Sequence, residues 1–303
     1  MAASTTVTIP AAGGPARGIS RPSGPFALAW RRLMRRPAAR FSLYLLTAYI
    51  TLAVAAPLLP IHGPSTMDQD AELAGPSLTY LLGTDQFGRD ILSRAIFGAR
   101  VSLLVSITAV VLGTLVGVST GLIAGFHGGI IATVLLRVYD ALLAFPAILL
   151  AIGIAATTGP GVFNASLALA IVSAPQFARV ARAGVLVEKN KDYVQAANCL
   201  GAHSTRILFR HILPNVTGPL LVQVTLFMAF AVLLESALSF LGLGVQPPQP
   251  SLGSMLAEGR PYLRDAPWYG LVPGVALTLL IFTLNTLSDA VRDVLDPRLT
   301  RGT

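Results

Sequence analysis

The sequence predicts an all-α, polytopic membrane protein with six transmembrane helices. Three observations predict it. Apolar residues make up 53% of the chain and charged residues 12%, about half the roughly 25% of an ordinary soluble domain. The apolar residues gather into runs of about twenty, long enough at ~1.5 Å per residue to cross the hydrocarbon core of a bilayer. The basic residues concentrate between alternate runs, and mean hydropathy is +0.68.

The elements follow in order. Residues 1–40 form a tail rich in Ala, Gly, Pro, Ser and Thr that lacks apolar periodicity, reads as disordered and ends in a basic anchor of Arg31, Arg32, Arg35, Arg36 and Arg40. Its basic residues follow the tail and the next apolar run is long, unlike a cleaved signal peptide. The first span is Phe41–Leu59, free of charge. The second is Val101–Phe126. The third runs from Ile130 to about Thr157, with Arg137 and Asp140 near its start. The turn Thr158-Gly-Pro-Gly161 separates it from the fourth, Asn164 to about Gly184. The fifth, Asn215 to about Leu241, is interrupted only by Glu235, and the sixth runs from Trp268 to about Ser288. Backbone polar groups in lipid must be satisfied within the segment, which makes these helices rather than strands. The domain plan is a tail over 1–40, a membrane domain over 41–289 containing a polar loop over 185–214, and a second tail over 290–303.

Charge sets the orientation. With the N-terminus inside, the inner segments hold seventeen Lys and Arg and the outer ones five: Arg89, Arg94, Arg100, Arg260 and Arg264. The positive-inside rule selects both termini in the cytoplasm. The net charge of +8 is thereby a topological feature, with no call for nucleic acid. The outer segments are then 60–100 and 242–267. In the first, Asp85/Arg89 and Asp90/Arg94 stand four residues apart, acid before base, which favours a helix with Phe87, Ile91, Leu92, Ala95 and Ile96 as its apolar face. It is either an interfacial helix or a capped lead into the second span.

Glu235 is the one carboxylate deep in the fifth span, and an intramembrane acid is a functional candidate. It serves either the pathway and its gating or a structural pairing. Arg137 and Asp140, three residues apart, read as a structural pair. His203 and His211 lack further ligands for a metal. The single cysteine, Cys199, rules out an internal disulfide framework.

The polar island Asp192-Tyr-Val-Gln-Ala-Ala-Asn-Cys-Leu-Gly201, with Pro214 thirteen residues on, stands out in so apolar a chain. Asp192, Tyr193, Gln195, Ala196, Ala197, Gly201, Ala202, Leu213 and Pro214 resemble the "EAA" loop of permease subunits in ATP-binding-cassette importers. Four further blocks resemble the C-type permease of dipeptide, oligopeptide and nickel importers. They are Leu82-Gly-Thr-Asp-Gln-Phe-Gly-Arg-Asp90, Asp140-Ala-Leu-Leu-Ala-Phe-Pro146, Glu235-Ser-Ala-Leu-Ser-Phe-Leu-Gly-Leu-Gly-Val-Gln-Pro-Pro248 and Leu287-Ser-Asp-Ala-Val-Arg-Asp-Val-Leu-Asp-Pro-Arg298. Gln195 departs from the family's usual Glu; it keeps the length and hydrogen bonding and loses the charge.

The resemblance implies a type I importer permease in the inner membrane. It implies a loop that couples to cytoplasmic ATPase subunits, one or two in number, which hold ATP and Mg. It also implies a paired homologous permease, an extracytoplasmic solute-binding protein and surrounding lipid, with transport by alternating access. The implied substrates are dipeptides or oligopeptides, with nickel or another small solute as the alternative. The chain itself has no G-x-x-x-x-G-K-[ST], its lysines being Lys189 and Lys191 alone, so it cannot cradle nucleotide as a P-loop does. Neither a nucleophile elbow nor a metalloprotease pattern is present. These features argue against an enzyme and for a chain that binds no cofactor. A secondary transporter would need ionisable groups at mid-membrane and internal repeats; Glu235 alone qualifies.

Overall fold

The computed structural model describes Met34, residues 37–59 and residues 61–295. Most of the tail expected to be disordered, the anchor residues Arg31, Arg32, Arg35 and Arg36, and the final Asp296–Arg298 of the last sequence block lie outside the described residues; Pro37–Arg40, expected in that tail, are instead the start of the first helix. The fold is all-helical. Among the described residues five helices are long and apolar enough to cross a membrane, and a bent pair, counted as one broken span, brings the number to six. The sole β-type pairing among the described residues is an isolated bridge between Thr84 and Asp90.

Helix α1 (Pro37–Ala55) lies along α10 (Pro267–Leu295), where the Tyr49 hydroxyl donates to the Ala276 carbonyl at 2.8 Å. Helix α2 (Ile91–His127) begins ten residues before the expected second span, because Asp90 caps it by accepting the Leu92 N–H at 3.0 Å. The expected helix through residue 85 is therefore replaced by its alternative, a capped lead into the span. Residues 84–90 form a turn in which the Asp85 carboxylate accepts the N–H groups of Phe87 (2.8 Å) and Arg89 (3.0 Å). Such local bonds from Asp compete with helix. Helix α2 ends at Gly128 and Gly129, both at positive φ.

The third span is not one helix. Helix α3 (Gly129–Leu143) and α4 (Ala147–Thr158) are bent by 96°. Pro146 is the cause. It has no N–H to continue the ladder, and it pushes the preceding residue away from helical geometry.

Helix α5 (Val162–Lys189) packs along α2 more closely than any other pair. Gly113, Gly117, Gly121 and Gly125 line that seam. A Cβ on Gly117 would lie 2.7 Å from the Phe177 Cβ, and one on Gly121 would lie 2.8 Å from the Ala181 Cβ. Small residues every fourth position let helix backbones approach. Helix α8 (Leu213–Phe240) packs on α2, α5 and α10, and α9 (Leu252–Gly259) closes the end of the bundle beside α10. Many large apolar side chains point outward from the spans, among them Val54, Leu115, Ile130 and Leu271, as a lipid-facing surface requires.

Candidate functional site

Between α5 and α8 the chain forms α6 (Asp192–Cys199), the single turn α7 (Ser204–Ile207) and a π-type turn over Leu208–Ile212 that runs directly into α8. Pro214 offers no N–H to the preceding turn, and the helix widens there. The non-helical part of the 185–214 segment is thus confined to Asn190–Lys191 and to Leu200–His203. Gly201 ends α6 at φ +74°, with Gly201 N–H donating to Asn198 O (2.9 Å) and Ala202 N–H to Ala197 O (3.0 Å). These two hydrogen bonds make a Schellman motif, which needs a residue at ease in the left-handed region.

The predicted loop residues fall into two sets. Asp192, Tyr193, Gln195, Ala196, Gly201 and Pro214 are exposed; Ala197, Ala202 and Leu213 pack partly against a core of Leu122, Val185, Val194, Ile207, Ile212 and Val216. Val194 is wholly buried and acts as the peg. The Gln195 amide donates to Asn190 O at 3.3 Å. Tyr193 is the tie. Its hydroxyl donates to Glu188 at the end of α5 and accepts from Asn215 of α8 at 3.1 Å, while Lys191 pairs with Glu188 at 2.6 Å. Partial burial and the adjacent Glu188 carboxylate push the Tyr193 hydroxyl up to about 12. The Lys189 ammonium donates to the Phe126 carbonyl of α2 at 2.5 Å. Short helix α6 is therefore fastened to α5 and α8, and α5 in turn to α2, while one face stays open, where Leu200 and Phe209 are also exposed. Glu188 and Asn215 carried no local signal of this role.

The opposite end holds a buried ionic network. Arg89 pairs with Asp85 at 2.6 Å; Arg94 pairs with Asp85 at 3.3 Å and with Glu258 of α9 at 2.8 Å; Glu258 also accepts from Arg89 (3.1 Å) and from the Tyr269 hydroxyl (3.0 Å). Asp90 caps α2 instead of pairing with Arg94. Glu258, 164 residues beyond Arg94, was invisible to spacing arguments.

Glu235 is fully buried. Its carboxylate accepts from Ser239 at 2.7 Å, with Ser102 and Ser236 also donating; Ser239 in turn accepts the Val245 N–H at 3.2 Å. Next to it, Gly244 O accepts the Gly161 N–H at 2.9 Å, joining the α4–α5 turn to the end of α8. Asp140 does not pair with Arg137. It binds Arg179 of α5 at 2.7 Å. Among the described residues no group of three His, Cys, Asp or Glu is placed to hold a metal, and none gathers at His203 and His211.

Comparison with known proteins places this arrangement. Residues 117–301 match the family described as the binding-protein-dependent transport system inner membrane component, and residues 24–76 match the N-terminal transmembrane domain of oligopeptide transport permease C. A Brucella suis protein named as a peptide transport system permease is 46% identical, covering 91% of this chain and 93% of its own. The dipeptide transport system permease protein DppC of Alkalihalophilus pseudofirmus is 41% identical, covering 91% and 90%. The glutathione transport system permease protein GsiD of Pectobacterium atrosepticum is 40% identical, covering 89% and 90%. Among solved structures, the inward-facing MetNI methionine ABC transporter shares the fold with a TM-score of 0.54 at 19% identity, covering 66% of this chain and 96% of that one. The chain belongs to the family of binding-protein-dependent transport system inner membrane components: it is a permease subunit of an ABC importer, in which ATP hydrolysis lies in separate subunits.

Proposed function

We propose that this permease carries dipeptides or short oligopeptides, and that α6 with its flanking turns is the handle by which ATPase subunits move it. The fastening of α6 carries the reading: Tyr193 ties this short helix to α5 and α8, and Val194 seats it in a core shared with Leu122 of α2, while its outer face stays open. A helix held in this way transmits force instead of absorbing it. The named peptide permeases among its relatives support the substrate class.

In this reading both termini are cytoplasmic, by a distribution of basic residues that remains fourteen to five when Arg137, Arg179 and Arg182, which lie within spans, are set aside from the seventeen. A second, related permease completes the pathway. One or two ATPase subunits bind ATP and Mg and dock on Asp192–Pro214, and an extracytoplasmic binding protein delivers the peptide to the end carrying residues 61–90 and 242–266. ATP and the loaded binding protein each favour particular states of the same assembly. Glu235 keeps the outer end of α8 and its following turn in register for gating.

Co-expression with the neighbouring transport subunits tests this. A complex containing ATPases and taking up Ala-Ala only with ATP and binding protein is expected; peptide uptake by the isolated chain overturns the reading. For orientation, cysteines at Ser65 and Gln249 in a Cys199→Ser background should react with an impermeant thiol reagent in intact cells, and one at Ser204 should not. The reverse pattern inverts the topology.

A further inference from the structure

The ion pair between Asp140 of α3 and Arg179 of α5 is in an unusual place. Both side chains are about half exposed, 53% and 54%, although each lies within a membrane span. Tyr139 beside Asp140 bonds Thr120 of α2 through its hydroxyl at 2.6 Å, which places the pair against α2 seven residues before that helix ends. Charges within a span are costly against lipid and face protein or water. A second observation agrees. Ala144, Phe145 and Pro146, the break between α3 and α4, are exposed as well. Non-helical backbone at membrane depth is tolerated only in protein or along a water-filled cavity.

The same wall is polar across three helices. Gln176 stands one turn from Arg179 on α5 and accepts from Gln223 of α8 at 3.2 Å. Its charge is also unbalanced. Arg137 is exposed one turn from Asp140, and Arg182 one turn from Arg179. Among the described residues neither has an ion pair, and the Arg182 Nε is buried without a hydrogen-bond partner. Within one helical turn of this pair the sequence thus places two further guanidinium groups and no second carboxylate. That surplus suits an anion, and a guanidinium fork suits a carboxylate in particular.

We propose that Arg179 and Arg182 form a way-station for the terminal carboxylate of a peptide crossing the pathway. The carboxylate replaces Asp140 on Arg179, and the freed Asp140 faces the peptide's ammonium end. The empty site is closed by its own internal pair, and arrival of a zwitterionic peptide opens it by exchange of partners. This rests on the peptide-permease reading above and extends it to a subsite within this chain.

The test uses the complete assembly in liposomes, with permease pair, ATPases and binding protein. Uptake of Ala-Ala is compared with that of its C-terminal amide, each at concentrations that saturate uptake, in the wild type, Arg179→Gln and Arg182→Gln. The binding protein is common to all, so a change in the acid-to-amide ratio belongs to the permease. The ratio is expected to fall about tenfold in Arg179→Gln, as loss of one charge-assisted contact implies, and less in Arg182→Gln. An unchanged ratio in both variants, with uptake of acid and amide lowered alike, overturns the site and makes the pair structural. An unchanged ratio accompanied by loss of the second permease on purification overturns it in favour of a subunit contact. If Arg179→Gln does not assemble, the swapped Asp140→Arg/Arg179→Asp variant, which keeps the pair but moves the cation, must show the same fall. A wild-type assembly that takes up neither peptide removes the peptide reading itself and the site with it.

Discussion

The Tyr193 hydroxyl donates to the Glu188 carboxylate across the Asn190–Lys191 turn, and this bond closes the corner between a membrane span and the short helix outside it. Asn215 joins the same hydroxyl from the start of α8, so one phenol oxygen holds three segments.

Tyr193→Phe removes that oxygen and keeps the ring. Hydrogen exchange of the 192–200 amides should speed about fivefold, the equivalent of ~1 kcal/mol for one hydrogen bond. Assembly should persist while ATP hydrolysis stimulated by the binding protein falls. The tie should also be indifferent to pH over the physiological range. Its pKa, about 12, lies above the ordinary tyrosine value near 10. A raised pKa means the contribution is complete below about 10 and is lost as pH rises through about 12. The difference in alkaline absorbance titration between wild type and Tyr193→Phe reports it. A Tyr193 transition near 10 would contradict the geometry.

Gly201 separates backbone strain from crowding. It sits at φ +74° with nothing within 4 Å of a built Cβ, so a substitution there meets strain alone. Gly201→Asn should be nearly neutral, Gly201→Ala should cost ~1 kcal/mol, and Gly201→Val more. The six spans should insert in all three. Co-purification of ATPase, or the ratio of uptake to hydrolysis, should decline in the order Asn, Ala, Val. Equal values in all three would show that the turn does not matter to coupling.

The seam between α2 and α5 gives the opposite case. Gly117→Val and Gly121→Val drive a side chain into the backbone of the Ala174–Ala181 stretch. Each should destabilise by ~1–3 kcal/mol or more, read as a lower Tm in detergent. Gly153→Ala and Gly218→Ala, where a Cβ meets nothing within 4 Å, serve as controls. They should hold or raise Tm, since alanine favours helix over glycine.

Glu258→Ala leaves Arg89 and Arg94 buried with only Asp85 between them. Breaking such a network by removing one partner should cost ~3 kcal/mol. The 61–90 segment, held by Ser93 to the His62 carbonyl at 2.6 Å and by Arg94 to the Pro64 carbonyl at 3.4 Å, should become open to protease before the rest of the chain. Unchanged proteolysis would show that the network is not what fastens it.

The spans were legible because a bilayer imposes one crude requirement, length of apolar chain, that sequence displays directly. The turn at Gly201 was legible because a left-handed cap is a local matter. Three features were not. Pro146 lies in an unbroken apolar run, and hydropathy alone cannot show that a span bends by 96° there. Asp85 and Arg89 have helical spacing and do pair, but they pair across a turn that Asp85 itself nucleates by accepting backbone N–H groups. The partners of Asp140 and Tyr193, and Glu258 as a partner of Arg94, lie on other helices, where spacing along one helix has no purchase. Gly113, Gly117, Gly121 and Gly125 were readable as a four-residue repeat, and only the packed structure shows that α5 is what they admit.

That close seam has a mechanical consequence. Helix α5 is 28 residues long, ~42 Å from end to end, and Pro175 removes one hydrogen bond of its ladder near the midpoint. The glycines of α2 seat against α5 from Ala170 to Val185, on both sides of that proline, so the two helices are held together across it. The lower end of α5 is pinned by Lys189 to Phe126 and continues through a two-residue elbow into α6, and its upper end is linked at Gly161 to Gly244. A tilt of about 10° about its midpoint carries the two ends roughly 3–4 Å in opposite senses. Where α5 and α2 turn as one unit, a push at one end of the pair becomes a displacement of similar size at the other, with the glycine seam between them unchanged.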